Sequence, residues 1–374
     1  MTAISRVLVA RHAVRLDVSD KSWACSSPTP YDPPLAREGE AQSALLGRAI
    51  AAELAAAAAS SSSSSLPLPL HAAAHVAAGD HDVSLRSSAS DTSASSSLSS
   101  LSSGATSSPG SESTALSNVS SSRDQITRTL NVHVHASPFL RCVQTAHHIA
   151  RQIIAAMPSS APVNVQLRMD AFLGEWLTYD YFTNVSPPPD DGHASIAASS
   201  LSWLLSQGDG RLLDRAWPLN KFGNSGEYGE RWRSMYSRFS NGLQALTDYY
   251  STSENNVIII VTHGAGCNAL VGALAGKPML LDVGLASLTV AVPRKGCKGD
   301  EFTPNYGYGG EKRDRSGYAV YSHHHEDQLT FLPEGSTSPC WDLTRIADTS
   351  HLSVVAPYGV ESDRAGSLIY DLYR

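Results

Sequence analysis

The feature that most constrains the fold is an alternation of short apolar runs with longer amphipathic stretches. RVLVA (6–10) and NVHVHAS (131–137) have the length and β-branched content of strands. The stretches REGEAQSALLGRAIAAEL (37–54) and LRCVQTAHHIARQII (140–154) carry apolar residues at helical spacing. VNVQL (163–167) adds a short strand, and NVIIIVTHGAGCNALVGALAG (256–276) repeats strand, loop and helix in one segment. Strands separated by helices predict an α/β fold, a three-layer sandwich whose mostly parallel central sheet has helices on both faces. A Pro-, Asp- and Ser-rich loop over 185–200 precedes a long helix over 227–250. SLTVAV (287–292) and GYAVYS (317–322) read as late edge strands, and the last forty residues carry no clear pattern.

Composition breaks this alternation once. From 55 to 122 the chain is a Ser, Ala and Thr mixture with few aromatic residues, which cannot bury enough apolar surface to offset the entropy of ordering. The expectation is one domain over 1–374 carrying a disordered insert at 55–122. A net charge of −7 gives no basic footprint for direct nucleic-acid binding. The five cysteines, Cys25, Cys142, Cys267, Cys297 and Cys340, are odd in number and lack any CxxC, against a disulfide framework or a structural zinc site. No leader pattern opens the chain and its longest strongly apolar run, VIIIV (257–261), is too short to span a bilayer. A soluble protein of the cytoplasm or nucleus is expected, without membrane contact.

Three polar clusters fall at strand ends: Arg11, His12 and Arg15; Ser137 and Arg141; Thr262, His263 and Gly264. Ligand sites of open parallel sheets form beyond the carboxyl ends of the strands. Adjacent strands would therefore gather three arginines and two histidines in one pocket, suited to a compact dianion such as phosphate. Nearby positive charge disfavours protonation of His12 and leaves a nucleophilic imidazole. Glu175, between Leu173, Gly174 and Trp176, is the best carboxylate for an acid, since an apolar neighbourhood raises its pKa; Asp170 and Asp180 compete.

These residues resemble the histidine phosphatases of the phosphoglycerate mutase-like superfamily. ARHAVRLD (10–17) is similar to that family's RHGxR signature, PLAREGEAQ (34–42) to PLTxxGxxQ, and SPFLRCVQTA (137–146) to SPxxRxxQTA. LGEW and VTHG resemble its acid-bearing and second-histidine segments, in the family's order. The branch most resembled, with RHGERxD and LFEW patterns, includes the suppressor phosphatases of T-cell-receptor signalling and a subunit of the RNA polymerase III general transcription factor. The resemblance implies that His12 is phosphorylated, that Arg11, Arg15, Arg141 and His263 bind the phosphoryl group, and that Glu175 donates a proton, with no metal or organic cofactor. A phosphorylated substrate is expected, selected by a cap over 166–228; its class stays open, as do oligomeric state and partners, with a protein complex and a homodimer as the alternatives. Two departures stand out: Ala13 replaces the signature glycine, and the RHGxSxWN form of glycolytic mutases is absent, against mutase activity.

Rival readings differ in class. A catalytically weak or inactive scaffold could keep the fold, although it has no need of the whole residue set. Gly264, Gly266 and Ala269 match the GxGxxA dinucleotide fingerprint, with Asp282 as a ribose partner, but leave the arginines unexplained. HHHED (323–327) and HAAAHVAAGDHD (71–82) read as solvated segments rather than metal sites, and Trp203, Trp217, Trp232 and Trp341 as packing residues.

Overall fold

The computed structural model of the protein describes residues 4–63, 129–158, 162–178, 193–294 and 340–353. Six strands, β1 (Ile4–Arg11), β2 (Leu130–Ala136), β3 (Val163–Met169), β4 (Asn256–Thr262), β5 (Leu288–Pro293) and β6 (Trp341–Asp348), form one sheet in the order β3-β2-β4-β1-β5-β6. β1, β2, β3 and β4 run parallel; β5 is antiparallel to β1, and β6 to β5. The helices are two four-residue turns, α1 (Leu16–Ser19) and α2 (Trp23–Ser26), then α3 (Arg37–Ser63), α4 (Leu140–Ala156), α5 (His193–Ser206), α6 (Trp232–Tyr250) and α7 (Gly264–Ala275). All of these but the last residue of α3 belong to one compact unit, Met1–Ser62 with Thr127–Arg374.

Every residue of β4 is buried, which is why that strand is a continuous apolar run rather than an alternating one. Side-chain alternation sends Leu8, Ala10, Val134 and Ile259 toward one face, where Leu46 and Ile50 of α3 and Val143 and Ile149 of α4 cover them. Val7, Val9, Ile258 and Ile260 face the other side, against Phe239 and Leu243 of α6 and Leu270 and Leu274 of α7. The result is the α/β sandwich, with helices on both faces of a mixed, mostly parallel sheet. Among the described residues no helix is long and apolar enough to cross a membrane.

The elements differ from the sequence reading in five places, the first being that α6 begins at Trp232 rather than at 227. β5 lies between β1 and β6 rather than at an edge. The edge belongs to β6, in the unassigned tail; most of its residues are half-buried or exposed, so no apolar pattern marks it. Helix α3 continues through Ser63 instead of stopping at 54, because the alanine run has the highest helix propensity. Helix α5 occupies part of the expected 185–200 loop; Ile196, Ala197, Ser200 and Leu204 are buried at helical spacing that the serines around them conceal. Residues 64–122 of the expected insert, the strand GYAVYS and both histidine-rich segments lie outside the described residues. The dinucleotide reading is overturned by topology, since β4 and α7 continue into the antiparallel β5, not into a parallel βαβ unit.

Gly242 of α6 faces the ring of Phe172, and a Cβ there would overlap that ring. Helix propensity favours alanine at this position by about 1 kcal/mol, but overpacking costs about 1–3 kcal/mol. Gly242→Ala is therefore expected to lower the urea midpoint of unfolding; a raised midpoint would show that Phe172 moves aside freely.

Candidate active site

The strands β2, β4 and β1 are neighbours, so their carboxyl ends bring the three polar clusters together. After β1 the chain turns under close control. The His12 amide donates to the Thr262 carbonyl at 2.9 Å, Ala13 N–H to Thr145 Oγ1 at 3.3 Å and Val14 N–H to Gln42 Oε1 at 3.2 Å. Leu35 N–H donates to Gln144 Oε1 at 2.7 Å, and Ala36 N–H to the Val14 carbonyl at 2.9 Å. The two glutamines of the quoted motifs thus satisfy loop amides around the site. Gly39 lets α3 lie against this loop, since a Cβ there would strike the Val14 carbonyl. Ala13 is fully buried and its methyl belongs to the apolar core with Leu8 and Leu35.

His12 is buried, and its Nδ1 lies 2.8 Å from the Ala13 carbonyl oxygen. A carbonyl only accepts, so Nδ1 carries the proton and Nε2 keeps its lone pair. Burial, followed by the positive fields of Arg141, His263, Arg11 and Arg15, holds the His12 pKa well below its usual value. The ring stands edge-on to His263, with centroids 5.3 Å apart.

Arg141, in the first turn of α4, has no solvent exposure. Its Nη2 lies 3.1 Å from Glu175 Oε2 and its Nη1 3.5 Å from Asp32 Oδ1. The guanidinium also packs over Phe139 at 4.6 Å from the ring centroid. His263 Nδ1 is 3.0 Å from Glu175 Oε2, and His263 Nε2 is 2.8 Å from Ser137 Oγ. A proton on Nδ1, donated to the carboxylate, and a Ser137 hydroxyl donated to Nε2 satisfy these two contacts, while Arg141 Nη2, 3.2 Å from the same Nδ1, donates to Glu175 instead. Burial lowers the His263 pKa to about 4, with Glu175 opposing and Arg141 reinforcing the shift.

Glu175 departs from expectation. Burial pushes its carboxyl up, as its apolar sequence neighbours suggested, but His263 and then Arg141 outweigh that and hold it well below the ordinary carboxylate range. Arg11 and Arg15 sit farther out. Arg11 Nη1 donates to the Val283 carbonyl at 2.6 Å and its guanidinium lies along Gly264, where a Cβ would stand 3.5 Å away. Arg15 is held bidentately by Asp17, with both N–O distances 2.9 Å.

Asp32 is the site carboxyl that sequence reasoning missed. Its oxygens accept the Leu140 N–H at 3.0 and 3.2 Å, fixing the start of α4 while facing Arg141. Burial raises its pKa to about 6 against the pull of Arg141 and that amide. Only its place just before the quoted PLAREGEAQ segment hinted at it. Asp170 is no competitor: its Oδ2 lies 2.6 Å from His135 Nδ1 and its Oδ1 accepts Trp217 Nε1–H at 2.9 Å. Asp180 lies outside the described residues.

The arrangement offers a neutral imidazole nitrogen beside three guanidinium groups and a carboxyl, a site for a compact anion open to nucleophilic attack. His12, Glu175 and His263 could also present one ligand atom each within 4.8 Å of one another. Arg141 contacts both Glu175 and His263 there, and its charge, with the fields of Arg11 and Arg15, favours an anion over a cation. A separate cleft of about 750 Å³ is lined by Asn131, His133, Arg168, Lys221, Tyr250 and Asn256 among others. Its buried polar groups are already joined to each other: Arg168 Nη1 donates to His133 Nδ1 at 2.9 Å and to Tyr250 Oη at 2.8 Å, and His133 Nε2 lies 3.0 Å from Asn256 Oδ1.

No family model matches the sequence, and no curated protein matches it. Among solved structures the chain is similar to the ecdysone phosphate phosphatase of Bombix mori in complex with tungstate, at 17% identity and a TM-score of 0.42, covering 77% of this chain and 88% of that one. It is similar to a mycobacterial glucosyl-3-phosphoglycerate phosphatase in complex with VO3, at 12% identity and a TM-score of 0.36, covering 78% and 92%. A phosphoglycerate mutase from Bacillus anthracis gives 13% identity and a TM-score of 0.36, covering 78% and 88%.

The electrostatics predict that neither pocket histidine takes up a proton near pH 6.5, where a free imidazole would. In a ¹⁵N NMR titration the His12 and His263 rings are expected to stay neutral from about pH 8 to about pH 5.5. A midpoint near 6.5 assigned to either ring would contradict the described surroundings.

Proposed function

We propose that the protein is a metal-independent phosphomonoester hydrolase of the histidine phosphatase type, acting through a phosphohistidine on His12. The observation that carries this reading is the state of His12: Nδ1 is tied to the Ala13 carbonyl and Nε2 keeps its lone pair, in the field of Arg11, Arg15, Arg141 and His263. In the first step Nε2 attacks phosphorus, the bond to the ester oxygen breaks, and Glu175 gives its proton to that oxygen, releasing an alcohol. In the second, water attacks phosphorus, the P–N bond breaks, and its proton passes to Glu175, releasing inorganic phosphate. The arginines stabilise the charge that phosphoryl transfer spreads over the equatorial oxygens.

The Glu175 carboxylate lies against Arg141 and His263, the partners that a phosphoryl group takes in this reading. An arriving phosphomonoester takes over those partners and adds negative charge beside the carboxyl. Both changes raise its proton affinity, so the acid forms when a leaving oxygen is present to use it. In this reading the substrate-selecting cap begins after β3, with residues 170–178, which contain Glu175, and 193–228, which contain α5; residues 166–169 of the expected cap belong to the sheet instead. The free thiols of Cys25, Cys142, Cys267 and Cys340 support a reducing compartment, the cytoplasm or nucleus.

The test is hydrolysis of an aryl phosphate by purified protein with a chelator present. His12→Ala is expected to abolish turnover without lowering the melting temperature by more than a few degrees, and Glu175→Gln to slow turnover of an alkyl phosphate by about 10²–10⁴-fold. Asp32→Asn, which weakens the support of Arg141, is expected to raise KM. Wild-type turnover in His12→Ala would end this reading; an inactive, phosphate-binding wild type would favour the scaffold.

A further inference from the structure

Three consecutive carbonyls precede Glu175, and each is held by a side chain from elsewhere in the fold. Thr262 Oγ1, at the end of β4, donates to the Leu173 carbonyl at 2.7 Å. Arg238 Nη1, from α6, donates to the Phe172 carbonyl at 2.6 Å and to the Gly174 carbonyl at 3.1 Å. The rest of the same guanidinium is fixed by Glu230, with Nε 2.9 Å from Oε1 and Nη2 2.6 Å from Oε2. On the far side of Glu175, Trp176 Nε1 donates to the backbone carbonyl of Glu230 at 2.7 Å. The Arg238–Glu230 pair therefore grips residues 172, 174 and 176, the immediate surroundings of Glu175.

The two side chains are only 9% and 7% exposed. A buried ion pair is a poor source of stability, because desolvation cancels most of its attraction, and apolar residues of the same volume commonly serve as well. What apolar residues cannot do is fix backbone carbonyls at hydrogen-bond distance. A planar guanidinium braced by a bidentate carboxylate presents its remaining donors in a rigid direction.

We infer that Arg238, braced by Glu230, is a positioning residue for Glu175: it sets the reach of that carboxyl toward the leaving oxygen without itself touching substrate. This rests on the proposed role of Glu175 as proton donor. Stabilisation of the fold alone would slow all substrates alike if disturbed. Misplacing a proton donor instead harms esters in proportion to how much their leaving oxygen needs the proton.

The experiment compares kcat on an alkyl phosphate, whose alkoxide leaves only when protonated, with kcat on an aryl phosphate of an electron-poor phenol, which leaves without help. Arg238→Lys keeps a charge beside Glu230 but loses the fork. It is expected to reduce kcat on the alkyl ester by about 10²-fold while leaving the aryl ester within a small factor of wild type. Because a lone buried Glu230 would endanger folding of a neutral variant, the Glu230→Met, Arg238→Met double variant, which removes both charges, is measured alongside with its melting temperature. It is expected to fold and to show the same selective loss. An equal loss on both esters, no loss on either, or failure of both variants to fold would overturn the positioning role. Glu175→Gln separates the two levels: if it is selective while the Arg238 variants are not, this inference alone fails. If Glu175→Gln is not selective either, the assignment of Glu175 as proton donor fails, and the positioning role with it.

Discussion

A guanidinium with no access to water is the constraint on which the site depends. Arg141 is fully buried, and a buried cation is tolerable only with compensating charge and hydrogen bonds. Asp32 faces it from one side, Glu175 from the other, and Phe139 lies beneath it. Asp32 also holds the first amide of α4, so the helix that carries Arg141 and the loop that partners it are fixed together. Thr145, one turn along, accepts from Ala13 N–H and donates to the Arg141 carbonyl at 2.8 Å, which ties the loop after β1 to the same helix.

From that placement the protonation states follow. Two histidines beside a permanent cation, both out of solvent, are kept neutral, while the one carboxyl in contact with Arg141 and His263 is kept charged. Glu175 offsets part of the charge of Arg141, and the remaining positive field favours a compact anion. Burial keeps His12 neutral with Arg141 reinforcing it, and His263 together with Arg141 keeps Glu175 charged.

The sheet and most of the site were legible in the sequence because both depend on local signals. Apolar runs that end abruptly in Arg11 and His12, in Ser137, and in Thr262 and His263 mark strand ends, and their neighbouring positions in the sheet turn three weak clusters into one strong one. What was not legible depends on contacts distant in sequence. The edge strand β6 lacks an apolar face, and the Ser-rich start of α5 resembles a loop. The apolar neighbours of Glu175 pointed to a raised pKa, because neither Arg141 nor His263 is near it in the chain. Asp32, Glu230 and Arg238 look like ordinary charged residues until folding brings them to Leu140, Gly174 and Trp176.

Passage of the phosphoryl group through Nε2 of His12 is tested by locating that group. Protein labelled with ¹⁵N-histidine, mixed with excess aryl phosphate and quenched into alkali, would be read by ³¹P–¹⁵N coupling and by mass spectrometry of peptides. One phosphate is expected on the peptide containing His12, coupled to Nε2, since Nδ1 is engaged by the Ala13 carbonyl. Phosphate on Nδ1, on His263 or on a serine, or turnover with no phosphorylated peptide, would contradict it.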